Sequence, residues 1–311
     1  MKQTLQIGER ECLLYNEGEE PKVLLIQTLG VQERASIDNE VALIRAATDV
    51  PFVMAAFAIG DWDAELTPWH DPAVSKRQAV GEHAGETLRY VTEELIPSLH
   101  QEYGELPIVL GGYSLGGLFS LWAGSESDCF AAIAAMSPSV WIAGWQDYAR
   151  QHPVKTHYIY LSLGDREEHT RNKAIAQVGN NIRWEHEHLK QTLGSDHTTL
   201  EWNPGNHFVD GARRTAMGFA WCIDKVYNFT VTKFINYHGE DTRNLSKVED
   251  IIRKAKDCCN LVWLENLNLR GDYKGKILAW IHEHHPELDT LYHVIYTKAV
   301  SLLLSAQANI N

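Results

Sequence analysis

The stretch "VLGGYSLGGLF", Val109 to Phe119, decides how the rest of the chain is read. The apolar run Ile108 to Gly111 has the length of a buried strand and leads into Gly112-Tyr113-Ser114-Leu115-Gly116. After it, Leu118, Leu121 and Trp122 share one helical face. Strand, sharp turn and helix, with a serine at the tip of the turn, is the layout of a nucleophile elbow. The spacing has a steric reason: a serine at that tip adopts strained backbone angles, and a side chain two positions either side would strike the neighbouring strand or helix. The same turn sets the Leu115 N–H at a helix N-terminus, where it can donate to a developing oxyanion.

Outward from this elbow, short apolar runs alternate with helical patterns, which predicts crossover units feeding a mainly parallel sheet. The expected strands are Cys12 to Tyr15, Val23 to Gln27, Phe52 to Phe57, Ile108 to Gly111, Phe130 to Ala135, Tyr158 to Leu163 and Thr198 to Trp202. Two helices carry core stripes: Leu88, Val91, Leu95 and Leu99 in one, and Ile175, Val178, Ile182 and Leu189 in the other. Pro97 falls inside the first stripe and predicts a kink or an early stop. After Trp221 the alternation fails, and "NFTVTKFINYHGEDTRN" has the character of a connector. The expected division is therefore 1–226 as an α/β domain and 227–311 as a mostly helical appendage. In the appendage, Val248 to Ala255, Lys274 to His284 and Leu291 to Leu304 read as helices, with "LVWLENLNL" as a possible strand.

A serine hydroxyl is a weak nucleophile unless a base takes its proton and a carboxylate orients that base. In α/β-hydrolases the acid and then the histidine follow the serine on loops after later strands. Two strand ends fit that order. "YIYLSLGDREEHTRN" ends a strand with Asp165, Glu167 and Glu168, and "TTLEWNPGNHF" ends the next with His207. His186 and His188 lie in a charged helical pattern without H-E-x-x-H spacing, and His282, His284 and His285 fall in the tail. His169, the local rival, precedes a helix and does not close a strand.

Composition narrows the partners. With 28 Lys and Arg against 41 Asp and Glu, the net charge of -13 opposes phosphate backbones and anionic membranes, so neither nucleic acid nor a membrane is an expected partner. The start lacks an apolar signal core, and no stretch reaches the roughly 18 apolar residues of a membrane helix, which predicts a cytoplasmic protein. Five cysteines (Cys12, Cys129, Cys222, Cys258, Cys259) without any C-x-x-C pair suit a reducing compartment and predict no structural zinc.

Taken together, "GYSLGGLFSLWA", "SPSVWIAG", "LGDREE" and "NPGNHF" resemble the esterase D-like branch of the α/β-hydrolases over about residues 5–225. That branch includes S-formylglutathione hydrolases, enterobactin-type siderophore esterases, feruloyl esterases and mycolyltransferases. The resemblance implies an α/β-hydrolase fold, a mainly parallel central sheet flanked by helices. Its acid usually stands third after a strand-ending glycine, which from Gly164 selects Glu167, with Asp165 as runner-up and Glu168 behind both. The second oxyanion amide is implied in the loop after "KVLLIQ", where relatives carry His-Gly and this chain carries Thr28-Leu29-Gly30; Leu29 is the expected donor. Trp62 and Trp69, in "IGDWDAELTPWHDP", and Trp141, after Ser137-Pro138-Ser139, are candidate substrate contacts.

The expected activity is thus a serine carboxylesterase acting on small acyl esters through an acyl-enzyme, without a cofactor. Thioester hydrolysis, siderophore-ester hydrolysis or acyl transfer would use the same residues, and a binding or scaffold protein would retain only the fold. The tail from Val248 resembles the C-terminal part of spore photoproduct lyase-like radical S-adenosylmethionine proteins. It lacks their C-x-x-x-C-x-x-C motif, so no iron-sulfur cluster is expected, and a homo-oligomer through the tail is a possible use for it.

Overall fold

A computed structural model describes residues 2–71, 74 and 82–239, except the side chains of residue 32 and of residues 228–239. Contacts divide the chain into Met1–Tyr227 and Asn228–Asn311. The helices and strand expected beyond residue 239, and with them the tail's resemblance and any oligomer through it, lie outside the described residues.

Eight strands form one sheet: β1 (Lys2–Ile7), β2 (Arg10–Glu17), β3 (Val23–Leu29), β4 (Phe52–Ala58), β5 (Ile108–Tyr113), β6 (Ala132–Met136), β7 (Tyr158–Gly164) and β8 (Thr198–Asn203). Their spatial order is β1-β2-β4-β3-β5-β6-β7-β8. The β1/β2 and β2/β4 pairs are antiparallel, and every other pair is parallel. All seven expected strands are present. The eighth, β1, was not expected, because "KQTLQI" alternates exposed and half-buried positions at the sheet edge and carries little apolar signal.

The central strands are buried on both faces, which is why they read as continuous apolar runs. Every residue of β3, β5, β6 and β7 is buried. Leu24, Ile26, Leu110 and Ile133 point into a core that also holds Leu95, Leu99, Leu118, Leu121 and Ile182 from helices. The helices are α1 (Val31–Ala47), the short α2 (Trp62–Glu65), α3 (Ala84–Tyr90), α4 (Ile96–Tyr103), α5 (Leu115–Glu126), α6 (Trp145–Gln151), α7 (Val178–Leu193) and α8 (Gly211–Gly239). Helix α8 corrects the expected connector, since residues 228–239 are helical in backbone.

Pro97 does not stop its helix. A π-helical turn, Val91–Leu95, joins α3 to α4, and the Ile96 N–H donates to the Val91 carbonyl five residues back. Widening the ladder just before the proline accommodates its missing donor and keeps Val91, Leu95 and Leu99 on one buried face.

Candidate active site

The parallel strands deliver their C-terminal ends to one side of the sheet, where open α/β folds gather their functional loops. A cavity of about 1270 Å³ opens there, and Gly30, Val31, Ser114, Ser137, Glu167 and His207 are among its lining residues. They follow β3, β5, β6, β7 and β8, so five connections converge on one space.

Ser114 stands between β5 and α5 with φ 61° and ψ -119°, a left-handed conformation that is strained for serine. A Cβ on Gly112 would come within 2.5 Å of the Gly116 backbone, and one on Gly116 within 2.4 Å of Thr28 Oγ1 at the end of β3. Both glycines are therefore required by close approach. The turn is held from outside as well: the Ser114 N–H donates to the Met136 carbonyl at 3.0 Å, and the Ser139 N–H to the Ser114 carbonyl at 3.1 Å.

His207 bridges the serine and the acid. Its Nε2 lies 3.0 Å from Ser114 Oγ, and its Nδ1 lies 2.7 Å from Glu167 Oε2. Because an ionised carboxylate only accepts, Nδ1 carries the proton and Nε2 is left to accept from the serine hydroxyl. The main chain of His207 is fixed by the Tyr113 hydroxyl, which donates to its carbonyl at 2.8 Å.

The three candidate acids separate by partner. Asp165 Oδ1 accepts from the Gly205 N–H at 2.8 Å and ties the β7 loop to the β8 loop. Glu168 makes a two-pronged pair with Arg183 at 2.8 and 2.9 Å. Glu167 is the acid that reaches His207. It folds back at a 3-10 turn, Glu167–His169, against Gly164, whose added Cβ would lie 2.9 Å from Glu167 Oε1.

Behind Glu167 is a network that sequence reasoning missed. Its Oε1 accepts from the Ser137 hydroxyl at 2.7 Å, from the Gly164 N–H at 2.7 Å and from Arg214 Nη2 at 2.7 Å. Arg214 also donates to Ser137 Oγ. It comes from α8, is buried and stacks over the Tyr113 ring at 5.2 Å. Burial pushes the Glu167 carboxyl up, but the bond to and charge of His207, with the bonds from Ser137 and Arg214, outweigh it and hold the group at about 2. The available signals were faint: a serine after β6, and an arginine in the first turns of a helix that otherwise reads as core-facing.

Two expected contacts are corrected. Leu29 is the buried last residue of β3 and does not line the cavity, whereas Gly30 and Val31 do. Trp62 and Trp141 line the cavity, but Trp69 is absent from its wall. The Trp69 indole N–H donates to the Ala143 carbonyl at 2.8 Å, and its ring packs on Trp145 and Tyr148, so it anchors its loop. Phe208 and Val31, 82% and 89% exposed, form an apolar rim that the sequence did not mark. His169 also lines the cavity. Among the described residues no group of three His, Cys, Asp or Glu side chains is placed to hold a metal, and no helix is long and apolar enough to cross a membrane.

Comparison with known proteins agrees with this architecture. The siderophore hydrolase EstA from Aspergillus nidulans superposes with a TM-score of 0.58 at 18% identity, covering 72% of this chain and 94% of that one. An IroE-like serine hydrolase from Shewanella oneidensis superposes at 0.60 and 15% identity, covering 91% and 99%. The enterobactin esterase FES from Shigella flexneri gives 0.52 and 14%, covering 73% and 60%. At such identities the likeness establishes the fold alone, and no curated protein matches the sequence. A model of the family described as Putative esterase matches residues 15–208, a span that contains Ser114, Glu167 and His207. The chain belongs to that family, whose members are hydrolases acting on ester bonds.

Proposed function

We propose that the protein is a serine carboxylesterase that cleaves small acyl esters through an acyl-enzyme on Ser114. The observation that carries this reading is the unbroken chain of hydrogen bonds from Ser114 Oγ through the His207 ring to Glu167. Ser114 Oγ attacks the ester carbonyl carbon while its proton passes to His207 Nε2. The tetrahedral intermediate collapses, the acyl–oxygen bond breaks, and the imidazolium returns the proton to the leaving alcohol. Water then attacks the acyl-enzyme by the same route in reverse, freeing Ser114 and a carboxylic acid. Glu167 keeps the imidazole in the required tautomer and offsets its transient charge.

The oxyanion donors on this reading are the N–H groups of Leu115 and Val31, the first residues of α5 and α1. Amides at first helical positions have no intrahelical acceptor and sit at the positive end of the helix dipole. Each donor is worth about 3 kcal/mol in the transition state.

A fluorophosphonate probe, with p-nitrophenyl acetate and butyrate as substrates, tests the reading. Wild type is expected to label stoichiometrically and turn over both esters, and Ser114→Ala to do neither. Wild-type protein that stays unlabelled and inert would overturn it.

A further inference from the structure

The wall of the cavity formed by α1 is acidic, and the chemistry proposed above does not use it. Glu33 and Glu40 stand seven positions apart on one face of the helix and both line the cavity that holds Ser114. Glu33 has a structural duty at the helix start, where its carboxylate lies against the backbone of Gly30. Glu40 has no such duty. It is 2% exposed, its Oε1 has no hydrogen-bond partner, and the neighbouring Gln27 side chain also has its Oε1 without one. When Glu40 is ionised, both of these buried acceptor oxygens meet no donor. Neither Glu33 nor Glu40 has a salt bridge among the described residues.

What is missing at this wall is a group rich in N–H donors and positively charged. We propose that Glu33 and Glu40, with Gln27 beneath, form a subsite for a protonated amine, so that the ester cleaved at Ser114 carries an ammonium group. The inference rests on the esterase reading and names its substrate class. Catalysis gives a second reason. Glu33 lies beside Gly30 and Val31, close enough to His207 for their charges to interact, and so next to where the oxyanion forms. A bare carboxylate there opposes the developing negative charge, and an ammonium between them removes the opposition. Burial, and for Glu40 the charge of Glu33, raises both carboxyls above the ordinary value, Glu40 well above it, and a bound cation would draw both back down. The cavity's other charged groups, Arg166, His169 and Asp210, come from the loops after β7 and β8 and appear in neither acid's environment.

Two pairs of esters differing only in ammonium against methyl test this: methyl 6-aminohexanoate against methyl heptanoate for an acyl-side amine, and 4-aminobutyl acetate against pentyl acetate for an alcohol-side amine. In a pH-stat at pH 7, one pair should show kcat/KM at least tenfold higher for the amine. Glu40→Gln, which keeps shape and removes charge, should bring that ratio to about one; should it fail to fold, Glu33→Gln serves. Hydrolysis of the neutral esters without preference for either amine would overturn the subsite and leave the esterase standing, as would a ratio untouched in Glu40→Gln. If no ester is cleaved, the esterase reading has failed, and calorimetry decides the subsite alone: butylammonium should bind wild type at least tenfold more tightly than Glu40→Gln, and equal or absent binding overturns it.

Discussion

Glu167 and Glu40 are the same residue type, are nearly equally buried and line the same cavity, yet their carboxyls titrate in opposite directions. Glu167 accepts from Ser137, Gly164, Arg214 and His207. Glu40 has an Oε1 that no donor meets, and the charge of Glu33 acts on it. Burial alone raises a carboxyl, and only pre-arranged donors reverse the sign. One carboxylate is therefore fully supplied with donors, while the other has an oxygen that meets none.

The largest effects belong to the side of Glu167. Ser114→Ala should lower kcat/KM by about 10⁶-fold, since removing the nucleophile from a cooperating triad costs nearly as much as removing all of it. Glu167→Gln should cost about 10⁴-fold, because an amide at this place favours the wrong imidazole tautomer. Asp165→Asn is the control, for Asp165 ties the β7 loop to the β8 loop and does not reach His207. Steady-state kinetics showing a larger loss in Asp165→Asn than in Glu167→Gln would transfer the acid's role.

Next in size is the support behind the acid. Arg214→Met removes a buried cation from Glu167 and Ser137, and breaking a buried pair in this way costs about 3–5 kcal/mol in a urea melt. The pH dependence follows from the same contact. The Glu167 carboxyl lies at about 2 in the folded protein, below its ordinary 4.5. Its contribution to stability is therefore complete above pH 4.5 and is lost as pH falls toward about 2. In Arg214→Met the folded value rises, so acid unfolding should begin at a higher pH than in wild type. Coincident acid-unfolding curves would show that Arg214 does not act through Glu167.

The difference between the two carboxylates also explains what the sequence disclosed. Ser114, Glu167 and His207 each close a strand, and strand ends are marked locally by apolar runs giving way to turns. Ser137, Tyr113 and Arg214 were hidden because their importance lies in where three separate elements meet. Leu29 was misplaced by a single boundary: the strand runs two residues past the expected end, which shifts the cavity-facing backbone to Gly30 and Val31. Trp69 was indistinguishable from Trp62 because a loop tryptophan reads alike whether it faces a substrate or, as here, a backbone carbonyl and two rings. Glu40 was invisible for a related reason, since a glutamate within a helix is ordinarily a solvated charge.

The smallest expected effect tests Glu40 by stability alone. A buried acid whose carboxyl is raised binds its proton more tightly folded than unfolded, so its effect on stability runs opposite to that of Glu167. At pH 4, where Glu40 is protonated in the folded state, wild type and Glu40→Gln should melt at the same temperature to within about 2 °C, a difference worth at most about 1 kcal/mol for a domain of this size. As pH rises through the ordinary carboxyl value of 4.5 toward the raised one, wild type must either ionise Glu40 without a partner or hold its proton against the solvent, and it should fall progressively below the variant. Thermal melts from pH 4 to 9 read the separation directly. A constant difference across that range would mean that Glu40 is already satisfied, and the contrast with Glu167 would reduce to geometry.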